Sequence, residues 1–175
     1  MPSPLGHVLA GLTVHVLASG DENELRSRPR AAAVMAAAVV PDLDLLWRLV
    51  DGRNHHQQQS HSIGFAVAAA VAVVMATRLL GRGRSTALGL AGGAAWASHV
   101  LLDYLGVDTH PPIGIMALWP VSNAYFHSPW PLFLDIGRTL EWSTVRHDAA
   151  AIAWEVCVLM PLLVLTWRLR PRARG

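Results

Sequence analysis

The chain has 175 residues, 53% of them hydrophobic and only 15% charged, with a mean hydropathy of +0.35. Soluble domains carry roughly 25% charged residues, so this composition excludes a disordered chain and argues against an ordinary soluble enzyme. The 14 basic residues are all arginine and the formal charge is only +2, which gives no reason to expect a nucleic-acid partner; the single Cys157 excludes an intramolecular disulfide and a cysteine-rich zinc site.

The length suits one domain, spanning 1–175. Five apolar stretches follow one another along it. Residues 5–19 give a short first candidate span, with His7 and His15 inside it. No basic segment precedes it, so no cleavable leader is expected. Residues 31–40 are apolar up to Pro41, and the following LDLLWRLV could continue a bent second helix. Residues 62–80, 85–102 and 149–167 approach the roughly 20 apolar residues that a bilayer-crossing helix needs. Their Ala- and Gly-rich faces suit close helix packing in lipid. Proline and glycine cluster over 103–131, which reads as an irregular segment with short helices. The expected fold is therefore all-α, a polytopic membrane bundle of about five helices. Cys157 reads as a buried small residue, the tryptophans as interfacial anchors, and Glu155 as interhelical glue, an outer partner of the site or a proton carrier.

Arginine placement predicts sidedness. With five spans and the N-terminus outside, Arg26, Arg28, Arg30, Arg78, Arg82, Arg84, Arg168, Arg170, Arg172 and Arg174 fall on one side, which the positive-inside rule makes cytoplasmic. Arg48, Arg53, Arg138 and Arg146 fall on the other, together with every histidine except His15.

Four short motifs share that non-cytoplasmic boundary. His7 opens the first span. The run Pro41-Asp42-Leu43-Asp44 closes or kinks the second. His55, His56, Ser60, His61 and Ser62 lead into the third. His99 and Asp103 end the fourth, and their i, i+4 spacing puts them on one helical face. Imidazole and carboxylate are ligands for divalent zinc, manganese or iron, and ionisable groups at a membrane are costly enough to suggest a function. His7, Asp42, His61, His99 and Asp103 are the candidate metal ligands, for one or two ions. Asp44 and His56 are the candidates for general base or for orienting a ligand. Ser60 and Ser62 suit helix capping.

PLGHVLAGL, AAAVVPDLDLLW, HQQQSHSIGF and ASHVLLDYLGVDTHPPIGIMALWP, in that order, resemble the inner-membrane-associated metal-dependent hydrolases of the YdjM-like family, also described as LexA-binding. The resemblance covers about residues 4–135. The family's third motif has the form His-Arg-Gly-x-Thr-His-Ser. His56, Ser60, His61 and Ser62 match its spacing, while Gln57 and Gln58 stand in place of Arg and Gly. The resemblance implies a multi-pass inner-membrane protein with metal-dependent hydrolase activity. A looser similarity to zinc-dependent phospholipase C and nuclease folds favours phosphoester over peptide chemistry. The expected partners are membrane lipid and a lipid or phosphoester substrate. The alternatives are an interaction protein with a structural metal and a metal or proton transporter.

Overall fold

The computed structural model describes residues 1–81, 85–137 and 139–170. Among them are α1 (Pro4–Ala18), α2 (Glu22–Arg26), α3 (Arg28–Ala37), α4 (Arg48–Asp51), α5 (Ile63–Leu79), α6 (Ser85–Tyr104) and α7 (Trp142–Leu169), with 3-10 helices at Val40–Trp47 and Gln59–His61 and no strand. The all-helical expectation holds at that level. Among the described residues only α7 is both long and apolar enough to cross a bilayer; α1 and α5 are apolar but shorter.

The second apolar stretch departs most from expectation. It gives α3, ten residues long and so about 15 Å, half the thickness of the hydrocarbon core. It does not continue as a bent α-helix through LDLLWRLV. Pro41 lacks an N–H and crowds the preceding turn, and beyond it the Asp42 N–H donates to Val39 O at 3.0 Å, three residues back rather than four. The chain tightens into a 3-10 helix of eight residues, long for a geometry that rarely exceeds three or four. Two further boundaries move. Asp103 and Tyr104 belong to α6, so the irregular segment runs from 105 to 141; among its described residues it holds turns and isolated bridges and no helix. Helix α7 begins at Trp142, about two turns before the apolar stretch.

Long helices alternate in direction around a shared core. Helices α5 and α6 form an antiparallel pair that approaches closely because Gly89 and Gly93, four residues apart, carry no side chain. A Cβ on Gly93 would lie 2.7 Å from Ala70 Cβ, and one on Gly89 2.7 Å from Ala70 O. Leu9 and Ala10 of α1, Leu102 of α6, Leu159 of α7 and Phe133 of the irregular segment form one apolar cluster. Val34 and Ala38 pack on Ala91 and Ala95 to form a second.

The two clusters contain small or few side chains, and the large apolar ones face outward. Val67, Val71 and Met75 on α5 and Leu162, Leu165 and Trp167 on α7 are exposed, whereas His7, His61, His99, Asp103 and Glu155 are buried. A soluble protein distributes these classes the other way round, and a belt of exposed apolar residues of this kind marks a surface made for something other than water. Cys157 is part of that outer face, which corrects its expected burial.

Candidate metal centre

Each helix delivers its polar residue to the same end of the bundle. Ser3 caps α1, its Oγ accepting the Gly6 N–H at 3.2 Å, and His7 sits one turn in. Ser3 in turn donates its backbone N–H to Glu155 Oε1 of α7 at 2.7 Å and its hydroxyl to Glu155 Oε2. Glu155 is thus the tie between α7 and the start of α1, and it lies fully buried. At the other end of α6, His99 and Asp103 close the helix. Ser62 caps α5 by accepting the Phe65 N–H at 3.1 Å, with His61 just ahead. Trp96 of α6 donates its indole N–H to Ser60 O at 2.7 Å, which fastens the Gln59–His61 turn against α6.

The result is a compact group of nitrogens and oxygens. Asp103 Oδ2 is 2.9 Å from His99 Nε2 and 3.3 Å from His61 Nε2, and Asp103 Oδ1 is 3.4 Å from His7 Nε2. Asp42 Oδ1 is 3.5 Å from both His61 Nε2 and His99 Nε2. The rings of His7 and His99 stack with centroids 3.8 Å apart. His7, Asp42, His99 and Asp103 each offer one atom within 4.8 Å of the others, and Asp42, His56 and His61 form a second such group that shares Asp42. The five sequence-nominated ligands are therefore brought together.

Their chemistry fits a cation. His61 Nε2, His99 Nε2 and both oxygens of Asp103 are buried and, although they lie 2.9–3.4 Å from one another or from His7 Nε2, none is aligned for a hydrogen bond; leaving such groups unmet costs about 1–3 kcal/mol each. The opposite nitrogens are engaged. His99 Nδ1 meets Ala38 O at 2.8 Å, so the N–H is donated there and Nε2 keeps its lone pair. The Pro41 break makes this possible. In a continuous α-helix Ala38 O would accept from Asp42 N–H, which here turns to Val39 O instead. His61 Nδ1 lies 3.1 Å from Asp44 Oδ2, the carboxylate–imidazole arrangement that fixes a metal-binding tautomer. Tetrahedral bonds of about 2.0–2.1 Å place ligand atoms about 3.4 Å apart, close to the contacts measured here.

Asp44 stands one layer out. It accepts from Ser60 Oγ at 2.6 Å and contacts His56 Nδ1 at 2.8 Å. Ser60 therefore orients Asp44 instead of capping α5. With these partners Asp44 is held well below the usual carboxylate range, burial opposing and the His56 and His61 hydrogen bonds prevailing. Burial likewise pulls His61 down, but Asp42 and Asp44 outweigh it and push it up to about 10 in the absence of a cation. His55 stays apart at the surface, paired with Asp51 at 2.6 Å. His15 is a core residue whose Nε2 meets Leu25 O.

Sequence reasoning missed the approach to this group. A cleft of about 180 Å3 is lined by Asp42, Leu45 and His56 together with Asp108, His110 and Asp135. Asp108 accepts from Gly114 N–H at 2.7 Å and from the Gln57 side-chain amide at 2.9 Å. Gln57 is buried with φ +72°, a left-handed conformation uncommon outside glycine. Its link to Asp108 and its carbonyl bond to Met116 N–H hold the turn that presents His56. The carboxylate two residues after Gly106, in GVDTHPPIG, was the available signal.

A profile described as YdjM inner membrane protein matches residues 1–173. The chain belongs to that family. The YdjM match spans every element of the bundle and places the protein in the inner membrane. No curated protein and no solved structure matches the chain.

Proposed function

We propose that this YdjM-family protein is a multi-pass, metal-dependent hydrolase acting on a phosphoester at the membrane boundary, with its site on the non-cytoplasmic side. The observation that carries this reading is the set of buried, unpartnered nitrogens and oxygens of His61, His99 and Asp103 facing Asp42 and His7. Zinc is the first candidate and manganese or iron the alternatives, given one donor set of two nitrogens and two oxygens and a second of two nitrogens and one oxygen. His7, Asp42, His99 and Asp103 would hold one ion; Asp42, shared with His56 and His61, allows a second. An ion so held lowers the pKa of water and polarises a phosphoryl oxygen.

The chain's own residues supply the rest. With a single ion held by His7, Asp42, His99 and Asp103, His56 is free of metal: Asp44 holds its Nδ1 and Nε2 can take a proton from water beside the cleft. Ser60 holds Asp44, and Trp96 holds Ser60. Burial of His7, His61 and His99 excludes bulk water from all but the cleft side. That same burial favours, as the second reading, a structural metal in a membrane interaction protein. Transport has less support, because Glu155 is committed to Ser3 and His15 to Leu25 O.

Metal analysis of the purified protein beside its His99→Ala variant, with hydrolysis of bis(nitrophenyl) phosphate as the activity, tests the proposal. The expected result is zinc and turnover in the parent and neither in the variant. Zinc without turnover would favour the structural reading, and a metal-free parent that cannot be loaded would overturn both.

A further inference from the structure

Directly after its two carboxylates the chain exposes its densest apolar segment. Leu43, Leu46 and Trp47 are more than half exposed, Leu49 is 83% exposed and Val50 75%. Water-facing placement of five such side chains within eight residues is not a stable end state for a solvated loop. The 3-10 geometry explains how the segment serves two surroundings. At three residues per turn, residues i and i+3 eclipse, so Asp42 and Leu45 share one face and both line the cleft, while Leu43 and Leu46 share another and point away. Leu45 itself is partly exposed and joins the two surfaces.

Three features point to lipid as the occupant of the outer face. The segment belongs to an inner-membrane protein whose α5 and α7 already present exposed apolar belts. Trp47 and the exposed Arg48 sit among the leucines and the exposed Arg53 follows them, the pattern of an interfacial segment whose rings and guanidiniums reach headgroup level. Among the described residues neither guanidinium has an acidic side-chain partner, since Asp51 is paired with His55 and with the Arg53 backbone; both are open to lipid phosphates.

We propose that Leu43–Val50 is a lipid-embedded lip of the cleft, and that the cleft takes an amphipathic phosphoester whose acyl tail remains in the leaflet beside Leu45 and Leu46. The substrate half rests on the hydrolase reading above; the lip does not. A cleft of about 180 Å3 accommodates a phosphoryl group and a small headgroup, not an acyl chain, so the tail must lie outside it. The lip provides an apolar path that starts at the cleft wall. The substrate reaches Asp42 and His56 laterally, without leaving the bilayer.

The test uses the full chain carrying Cys157→Ala, with an environment-sensitive fluorophore on Leu46→Cys, Leu49→Cys or Gln59→Cys, in vesicles of phosphatidylethanolamine and phosphatidylglycerol. Spin-labelled phosphatidylcholine should quench the probes at 46 and 49 several-fold more than the probe at 59. Aqueous emission at 46 and 49 would overturn the lip. So would apolar emission that lipid fails to quench, because a protein surface would then cover the segment. In the second arm, Leu46→Asn with Leu49→Asn in the zinc-loaded chain should slow hydrolysis of phosphatidylethanolamine at least about tenfold, the scale of a single leucine losing its apolar contacts, and leave bis(nitrophenyl) phosphate unaffected. Equal effects on both esters would overturn the lateral route. Lipid-quenched probes with neither ester hydrolysed by the parent would reject the hydrolase reading and the substrate half with it, and leave the lip standing.

Discussion

Asp42 and Asp44 are two residues apart, and the backbone geometry divides their work. In an α-helix they would point about 160° apart; in the observed 3-10 helix they point about 120° apart. Asp42 reaches His61 and His99, while Asp44 reaches His56, Ser60 and the far nitrogen of His61. Asp42→Asn should therefore strip the metal. Asp44→Asn should retain it with affinity lowered by about 10–100-fold, the usual cost of losing an orienting carboxylate, and should lower turnover further. Metal content at equal protein concentration checks both, and the reverse order would mean the pair is assigned backwards. His61 makes a pH prediction. Its metal-free value is raised from 6.5 to about 10, so the protonated form stabilises the fold fully below pH 6.5, and that contribution is lost as pH rises through about 10. With chelator present, the melting temperature should fall over that window. Zinc, which displaces the proton, should bind more tightly over the same window. A melting temperature with chelator that stays flat between pH 6.5 and 10 would show that His61 is not held by Asp42 and Asp44.

At the scale of the helices, the close approach of α5 and α6 depends on missing side chains. Gly93→Ala would put a Cβ 2.7 Å from Ala70 Cβ and 3.1 Å from Ala66 O and should destabilise the protein by about 1–3 kcal/mol. Gly92→Ala, whose Cβ would meet only Ala37 Cβ at 4.0 Å, should be neutral or gain up to about 1 kcal/mol from helix propensity. Unfolding in mixed micelles separates the two. Hydropathy made α1, α5, α6 and much of α7 legible in the sequence, because each is a continuous apolar run. The i, i+4 spacing made the His99–Asp103 face legible too. What hydropathy could not express was the tightening after Pro41, since a 3-10 and an α-helix have the same composition. Nor could it reveal Ala38 O as the partner of His99 or Ser3 as that of Glu155, because backbone acceptors and pairs 61 or 152 residues apart leave no local pattern. The cleft wall was missed for a related reason: Asp108 and Asp135 lie in a segment whose shape is set by turns and by contacts with Gln57 and Thr109.

Across the whole molecule, the candidate metal centre lies at one end and the described arginines of the expected cytoplasmic set, Arg26, Arg28, Arg30, Arg78, Arg168 and Arg170, at the other. Arg30 donates to Ala18 O at the far end of α1, and Arg170 pairs with Glu22 at 3.1 Å. Arg82, Arg84, Arg138, Arg172 and Arg174, which also entered the sidedness expectation, lie outside the described residues. Membrane-impermeant thiol labelling in a Cys157→Ala background tests orientation directly. Gln59→Cys should react from the non-cytoplasmic side and Asn23→Cys from the cytoplasmic side, both positions being exposed. Labelling of both from the same side would break the alternation on which the multi-pass reading depends.

The carbonyl of Ala38 also bears on biogenesis. Once Pro41 has diverted the Asp42 N–H to Val39, that oxygen receives its partner, among the described residues, only from His99, on a helix synthesised much later. A carbonyl without a donor costs several kcal/mol in hydrocarbon, so α3 has no stable place among lipids while the ribosome is still translating α5. It should wait at the aqueous boundary and settle only when α6 arrives. Stalled nascent chains that stop short of His99 should leave Ala36→Cys open to a water-soluble thiol reagent, and chains that expose α6 fully should protect it. Assembly of the centre and insertion of its weakest helix would then be a single event.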